Sequence, residues 1–445
     1  MWLPLSRFGR SFDAAGQLRY HSKKNNGKPR TEHLAPVAWD VQGRKRMTYR
    51  NGMAALAGVA LVLAAPMALA QTKTTNQGVN DTEIVVGTHQ DLSGPIKAWG
   101  VSVANGMKMA TEEINAAGGI QGRKIRLIVE DSGYDPKRAV LDTQKLIEKD
   151  QVFSMVGAMG SPTVLAAQDI VLDAGVTQLF PLTSAQFTFK MDPGKPQERL
   201  KFANLLPYVE STRAALKYMV DLKHPKRPCI LHQDDEYGKN VLDGFTQQLA
   251  AMKIEPGTAT SYKRGASDFS AQVARMKADG CDLVVLGTII RETIGAMTEA
   301  KKLGWTVDFL GATPTNVIEV PTLGKDAVEG LYAAAEMEIP YEDTAKGKVK
   351  DWLANYKKMF GVEANTQAII GYNTIEIFGF YANAAGRDLT GQKLLASLES
   401  GKEYLDIFGS PPVKFSPTNH LATLVTQVQQ IQNGRWKVIR EGLMF

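Results

Sequence analysis

Cysteine is almost missing from this chain, with two residues in 445. That excludes a disulfide-dense scaffold and a cysteine-rich zinc site. Histidine is scarce too. Beyond residue 70 only His89, His224, His232 and His420 occur, and none stands at a metal-ligand spacing from another. There is no H-E-x-x-H, no G-x-S-x-G, no C-x-x-C and no G-x-x-x-x-G-K-[ST]. No intact G-x-G-x-x-G follows the first strand, so a dinucleotide site lacks its fingerprint. These absences count against an enzyme and predict neither metal nor cofactor. His232, near a strand end, reads as a structural histidine. Asp234-Asp235-Glu236 reads as a helix cap that favours the helix dipole.

Charge is uneven. The net charge is +6, but residues 1–70 hold 11 Lys/Arg against 3 Asp/Glu, and the remaining 375 residues are close to neutral at −2. A basic footprint for nucleic acid is therefore absent from the main body. With 44% hydrophobic residues the chain buries a substantial core, and its length suggests two lobes.

The basic excess belongs to an address. Residues 52–70 carry no charge and follow Arg44, Lys45, Arg46 and Arg50. Their most apolar part covers 53–65, Pro66 breaks it, and Ala68-Leu69-Ala70 gives small residues two apart. A positive flank, a short apolar core and an A-x-A exit predict a cleaved signal peptide over 47–70 and a mature chain starting near Gln71. The 19 uncharged residues also approach a membrane span, which is the alternative. Residues 1–46 read as an unstructured extension or an overlong gene start. The mature protein is expected to be exported and soluble.

The body alternates strand and helix. Ile84-Val85-Val86 marks a first strand, 99–117 a helix ended by Gly118-Gly119, and 124–129 a second strand. Asp135-Pro136 opens the next helix, 153–157 is a third strand, 161–173 a third helix and 176–180 a fourth strand. The pattern restarts with a strand at 229–231, a helix over 236–252, a strand at 258–262 and a helix capped by Ser267. Strands at 283–286 and 307–310 flank a helix over 290–303, then 343–400 is mainly helical and 413–438 is β-rich. Continuous apolar strands between helices imply an α/β fold with parallel sheets covered on both faces.

Cys229 then begins the first strand of the second unit, and Cys281 precedes its third. In a doubly wound sheet these strands are parallel neighbours. Both cysteines lie at one sheet end, within bridging reach. A disulfide and a pair of buried thiols both remain open at this point.

One segment has chemical character. Gly157-Ala158-Met159-Gly160-Ser161-Pro162-Thr163 joins a strand to a helix. Its glycines allow close backbone approach, Ser161 and Thr163 offer hydroxyls, and the helix start presents free N–H groups, a place for an anion. A plain capped turn has the same residues. The loop Pro181-Leu182-Thr183-Ser184 is placed to face the same crevice.

The segments GTHQDLSGPIKAWG, INAAGGIQGRKIRLIVEDSGYDPKRAV, VGAMGSPTVLAAQDI and HQDDEYGKN resemble the leucine/isoleucine/valine-type periplasmic binding proteins of branched-chain amino acid ABC transporters. The resemblance spans nearly all of 81–440. It implies a type I periplasmic binding protein: two Rossmann-like lobes with parallel sheets, joined by a three-segment hinge. The lobes would be 71–205 plus 336–413, and 206–335 plus 414–445, with crossovers near 204–207, 334–338 and 412–416. Ligand would sit in the cleft, and the lobes would close on it. The partners implied are a small carboxylate ligand and an inner-membrane permease.

The resemblance also implies a site. Ser161 would hold the ligand carboxylate, Leu182 and Ser184 would add backbone and hydroxyl groups, Trp99 would cover the ligand and Tyr237 would face it from the second lobe. Two positions depart from the family pattern. Thr313 stands where a glutamate accepts the amino group, and Ile289 where a tyrosine is found. A buried ammonium without a carboxylate is costly. Either another acid such as Glu292 or Asp235 replaces the glutamate, or the ligand lacks an α-amine. Branched-chain amino acids and other small carboxylates or amides stay open. The rival function is an exported ligand-sensing module of the same fold that regulates a partner.

Overall fold

A computed structural model describes residues 72–445. The expected leader and extension lie outside the described residues.

The first sheet is wholly parallel. Its strands are β1 (Glu83–Gln90), β2 (Lys124–Asp131), β3 (Ser154–Val156), β4 (Thr177–Leu179) and β5 (Lys201–Phe202), in the order β2-β1-β3-β4-β5. Helices α1 (Lys97–Ala116), α2 (Pro136–Gln144) and α3 (Ser161–Asp173) make the crossovers. Asp135 caps α2, accepting from the N–H groups of Lys137 and Arg138, with Pro136 at the first helical position.

The second lobe repeats the plan. After α4 (Tyr208–Lys223) come β6 (Pro228–Gln233), α5 (Glu236–Met252), β7 (Ala259–Tyr262), α6 (Ser270–Ala278), β8 (Leu283–Gly287), α7 (Ile290–Lys302), β9 (Asp308–Gly311), α8 (Glu319–Gly324) and β10 (Tyr332–Ala335). The chain then returns to the first lobe as α9 (Gly347–Phe360), α10 (Thr366–Ala384) and α11 (Gly391–Leu398). It ends in the second as β11 (Thr426–Gln432) and β12 (Arg435–Leu443), an antiparallel pair on the sheet edge. That sheet runs β12-β11-β10-β9-β8-β6-β7. Each lobe thus has its second strand outside its first and the third on the other side. That arrangement creates a switch point at the carboxyl ends of the strands, where ligands of open α/β sheets bind.

Three expectations need correction. The helix expected to start at Ser267 begins at Ser270, whose N–H is held by Asp268 Oδ1 at 2.9 Å. Residues 414–421 were assigned to the second lobe but belong to the first. Phe415 packs on Phe180 and Phe202, the Ala203 N–H donates to His420 O at 2.9 Å, and the His420 ring stacks on Phe202. The third crossover therefore follows residue 421 rather than 413. The elements β5, α4, α8 and β10 have no counterpart among the expected ones.

The first lobe is built around a close helix pair. A β-carbon at Gly106 of α1 would lie 1.9 Å from Ala368 O of α10, and one at Gly371 of α10 would lie 2.2 Å from Val103 O of α1. Only glycine permits that approach. It fixes the N-terminal turns of both helices, which carry Trp99 and Gln367, against the cleft.

Cys229 and Cys281 are disulfide-bonded, with Cα atoms 5.8 Å apart. The bridge stands at the amino ends of β6 and β8, the paired central strands of the second lobe. Among the described residues no helix is long and apolar enough to cross a membrane.

Candidate functional site

The site is assembled from strand exits. β3 leaves into the loop ending at Gly160, whose φ of +96° suits glycine. A β-carbon there would meet the Tyr134 ring at 2.5 Å, so the glycine lets that ring lie against the loop. Ser161 opens α3 and its Oγ lies 2.6 Å from Thr183 Oγ1 on the β4 exit. The two loops are laced together, with Leu182 N–H donating to Ala158 O and Gly160 N–H to Leu182 O. Tyr208 N–H donates to Ser184 O, bringing the start of the second lobe to the same place.

From the second lobe, Tyr237 lies in the first turn of α5, with Asp235 accepting from its N–H. The Tyr237 hydroxyl donates to Thr288 O at 2.9 Å, and its ring meets Tyr208 edge-on at 5.0 Å. Burial raises the Tyr134 and Tyr237 hydroxyls well above the usual tyrosine range and pushes Tyr208 up to about 12. All three remain neutral donors near neutral pH.

Two adjoining cavities lie between these groups. The larger, about 590 Å³, is lined by Trp99, Leu182, Ser184 and Thr313 together with Glu336 and Gln367. The smaller, about 310 Å³, is lined by Trp99, Ser161, Leu182, Tyr237 and Ile289 together with Tyr134. Tyr208 and Pro314 border both. All seven positions singled out in the sequence therefore face one cleft. The lining lacks lysine and arginine. An anion here would be held by hydroxyls, main-chain N–H groups and the start of α3.

Neither acid considered as a replacement for the missing glutamate lines these cavities. Asp235 is occupied as the α5 cap and by Gln233 Nε2 at 2.6 Å. Glu292 is buried within the second lobe, and its carboxyl is raised by that burial. His232 holds its Nδ1 near Gln233 O and takes no part in the cleft.

The sequence reading missed Tyr134, Tyr208, Glu336, Thr366 and Gln367. Thr366 Oγ1, Gln367 Oε1 and Trp99 Nε1 are buried with no protein hydrogen-bond partner, as wall groups kept for a polar ligand would be. Tyr208 and Glu336 sit on the lobe crossovers, which carry no motif. The acid directly after the apolar run Leu331–Ala335 was the available signal for Glu336.

The lobes are closed over the cleft. Arg264 Nη1 donates to Tyr134 O at 2.8 Å, and Gln233 Nε2 donates to the Tyr134 hydroxyl at 3.3 Å. On the other flank, Asn365 Nδ2 donates to Glu319 Oε1 at 2.5 Å.

Residues 83–435 match the sequence model of a family described as periplasmic binding protein. The amino acid binding protein of Pseudomonas aeruginosa is 25% identical over 314 residues, 68% of this chain and 79% of that one. The Leu/Ile/Val-binding protein of Escherichia coli is 27% identical over 312 residues, again 68% and 79%. Among solved structures, a branched-chain amino acid ABC transporter protein from Thermus thermophilus with bound valine superposes with a TM-score of 0.73 at 14% identity, over 82% of this chain and 98% of that one. A fatty acid ABC transporter substrate-binding protein from Thermomonospora curvata also reaches 0.73, at 21% identity over 84% and 95%. At these identities the likeness in structure speaks to the fold alone.

Proposed function

The chain belongs to the periplasmic binding protein family, and from that premise we propose that it is the solute receptor of an ABC importer. It captures a small carboxylate-bearing solute in the periplasm, closes its lobes over it, and presents it to an inner-membrane permease on another chain. The observation that carries this reading is the group of anion-seeking donors at one cleft wall: Ser161 at the start of α3, Thr183 beside it and Ser184 facing the adjoining cavity. The curated relatives are binding proteins for amino acids by name, which supports the amino acid class within that chemistry.

Ser161→Ala tests the assignment. A hydrogen bond to a charged group contributes about 1.5–3 kcal/mol. Calorimetric titration with leucine and with 4-methylpentanoate should therefore show at least a tenfold weaker Kd in the variant for whichever probe binds. An unchanged Kd removes Ser161 from the site.

A further inference from the structure

The larger cavity is lined by a single carboxylate. Glu336 follows β10 directly, on the crossover back to the first lobe, and borders both this cavity and one of about 470 Å³ behind the hinge. Its Oε1 accepts from Leu206 N–H at 3.1 Å, which ties the first two crossovers together. No lysine or arginine lines either cavity. The other titratable groups that share them are Tyr208, Tyr404 and Asp406. Tyr208 and Tyr404 are raised by burial and stay neutral. Asp406 is occupied by Asn373 Nδ2 and by the N–H groups of Phe408 and Ser410. Glu336 therefore stands at the cleft with no counter-charge, and desolvation pushes its carboxyl up to about 7.

Register explains how this acid reaches the cleft. β9 and β10 are parallel, with Ala333 beside Gly311. Thr313 is two residues beyond Gly311, and Glu336 is three beyond Ala333. Neighbouring strands lie about 4.8 Å apart, so both exits open onto the same cavity. Thr313 contributes only a hydroxyl there, and Glu336 contributes the charge.

We propose that Glu336 is the cation acceptor of the cleft, so that the ligand is a carboxylate that also carries a protonated amine. This rests on reading the cleft as a carboxylate receptor. One end offers hydroxyls and a helix start with no cation, and the hinge end offers an acid with no cation. A zwitterion complements both ends. An acid lacking the amine leaves Glu336 unpaired and brings a second negative charge into the same enclosed space.

The test is calorimetric titration of the exported protein with matched pairs: leucine and 4-methylpentanoate, valine and 3-methylbutanoate, phenylalanine and 3-phenylpropanoate. Wild type should bind at least one amino acid 100-fold or more tightly than its partner lacking the amine. Glu336→Gln should cut that preference at least 30-fold, through weaker binding of the amino acid, tighter binding of its amine-free partner, or both. A wild-type preference for the amine-free acids overturns the proposal and leaves the receptor reading standing, as does a Glu336→Gln protein that keeps the full preference. If no member of any pair binds, both fall. Should Glu336→Gln fail to fold, Glu336→Asp replaces it. Retention of the full wild-type preference by that shortened acid overturns the proposal, and a loss of tenfold or more supports it.

Discussion

Loss of the Cys229–Cys281 bridge should lower the stability of the protein by about 4 kcal/mol, the chain-entropy value for a loop of this size. The two cysteines are 52 residues apart in sequence, and the loop they close contains α5, β7 and α6. In the reduced chain those elements explore far more conformations once unfolded, and the folded state gains nothing in return. The bridge stands at the amino ends of β6 and β8, whereas Tyr237 and Ile289 emerge from their carboxyl ends. Reduction should therefore move the urea midpoint strongly and leave ligand affinity almost unchanged. Urea unfolding with and without reductant, paired with a Cys229→Ala/Cys281→Ala variant, measures it. Equal midpoints, or thiols that alkylate in the native protein without reductant, would contradict the bridge.

Acid should destabilise the fold through His89. The residue lies on β1, is 1% exposed and has no protein partner for Nδ1. Burial lowers its pKa to about 4 from 6.5. The unfolded chain protonates this ring below pH 6.5 and the folded chain does not, so stability is intact above 6.5 and falls as the pH drops toward 4. A shift of this size corresponds to about 3 kcal/mol. Glu336 and Glu376 act in the opposite sense. Their carboxyls, both pushed up to about 7, take up protons in the folded chain first and add stability as the pH falls from 7 toward 4.5. The isolating measurement is the difference in unfolding free energy between wild type and His89→Gln. That difference should shift by about 3 kcal/mol in favour of the variant between pH 7 and pH 4. A difference that stays constant across this range would rule out titration of His89.

Much of the fold is written in local signals. The bounds of α3 and α5 can be read from Ser161 and from Asp235-Glu236, because a cap and a glycine or αL stop act within a few residues. The proximity of the two cysteines follows from strand adjacency, which an α/β order dictates, and the bond itself is seen in the structure. What was illegible depends on distant partners. β10 contains three alanines and no β-branched residue, and it is a strand because β9 and β11 flank it. β5 has two residues. The segment 414–421 looks like part of the β-rich tail, but its place is set by Phe180, Phe202 and Ala203 more than 200 residues earlier. The site divides in the same way. Residues on βα loops, such as Ser161 and Ser184, carry a recognisable pattern. Glu336 and Gln367 reach the cleft through the hinge and the returning α10, which is buried around most of its circumference and shows no amphipathic stripe to orient it.

The central claim is that the closed cleft recognises a carboxylate. Its most direct test is a thermal-shift series on the purified protein with amino acids, their amine-free acids, and the matching amides and alcohols. A ligand present at 100 times its Kd adds about 2.7 kcal/mol of stability. The expected result is that shift for one or more carboxylates and its loss in the amide and alcohol of the same skeleton. Equal stabilisation by the acid and its uncharged analogues, or no shift with any carboxylate, would contradict it.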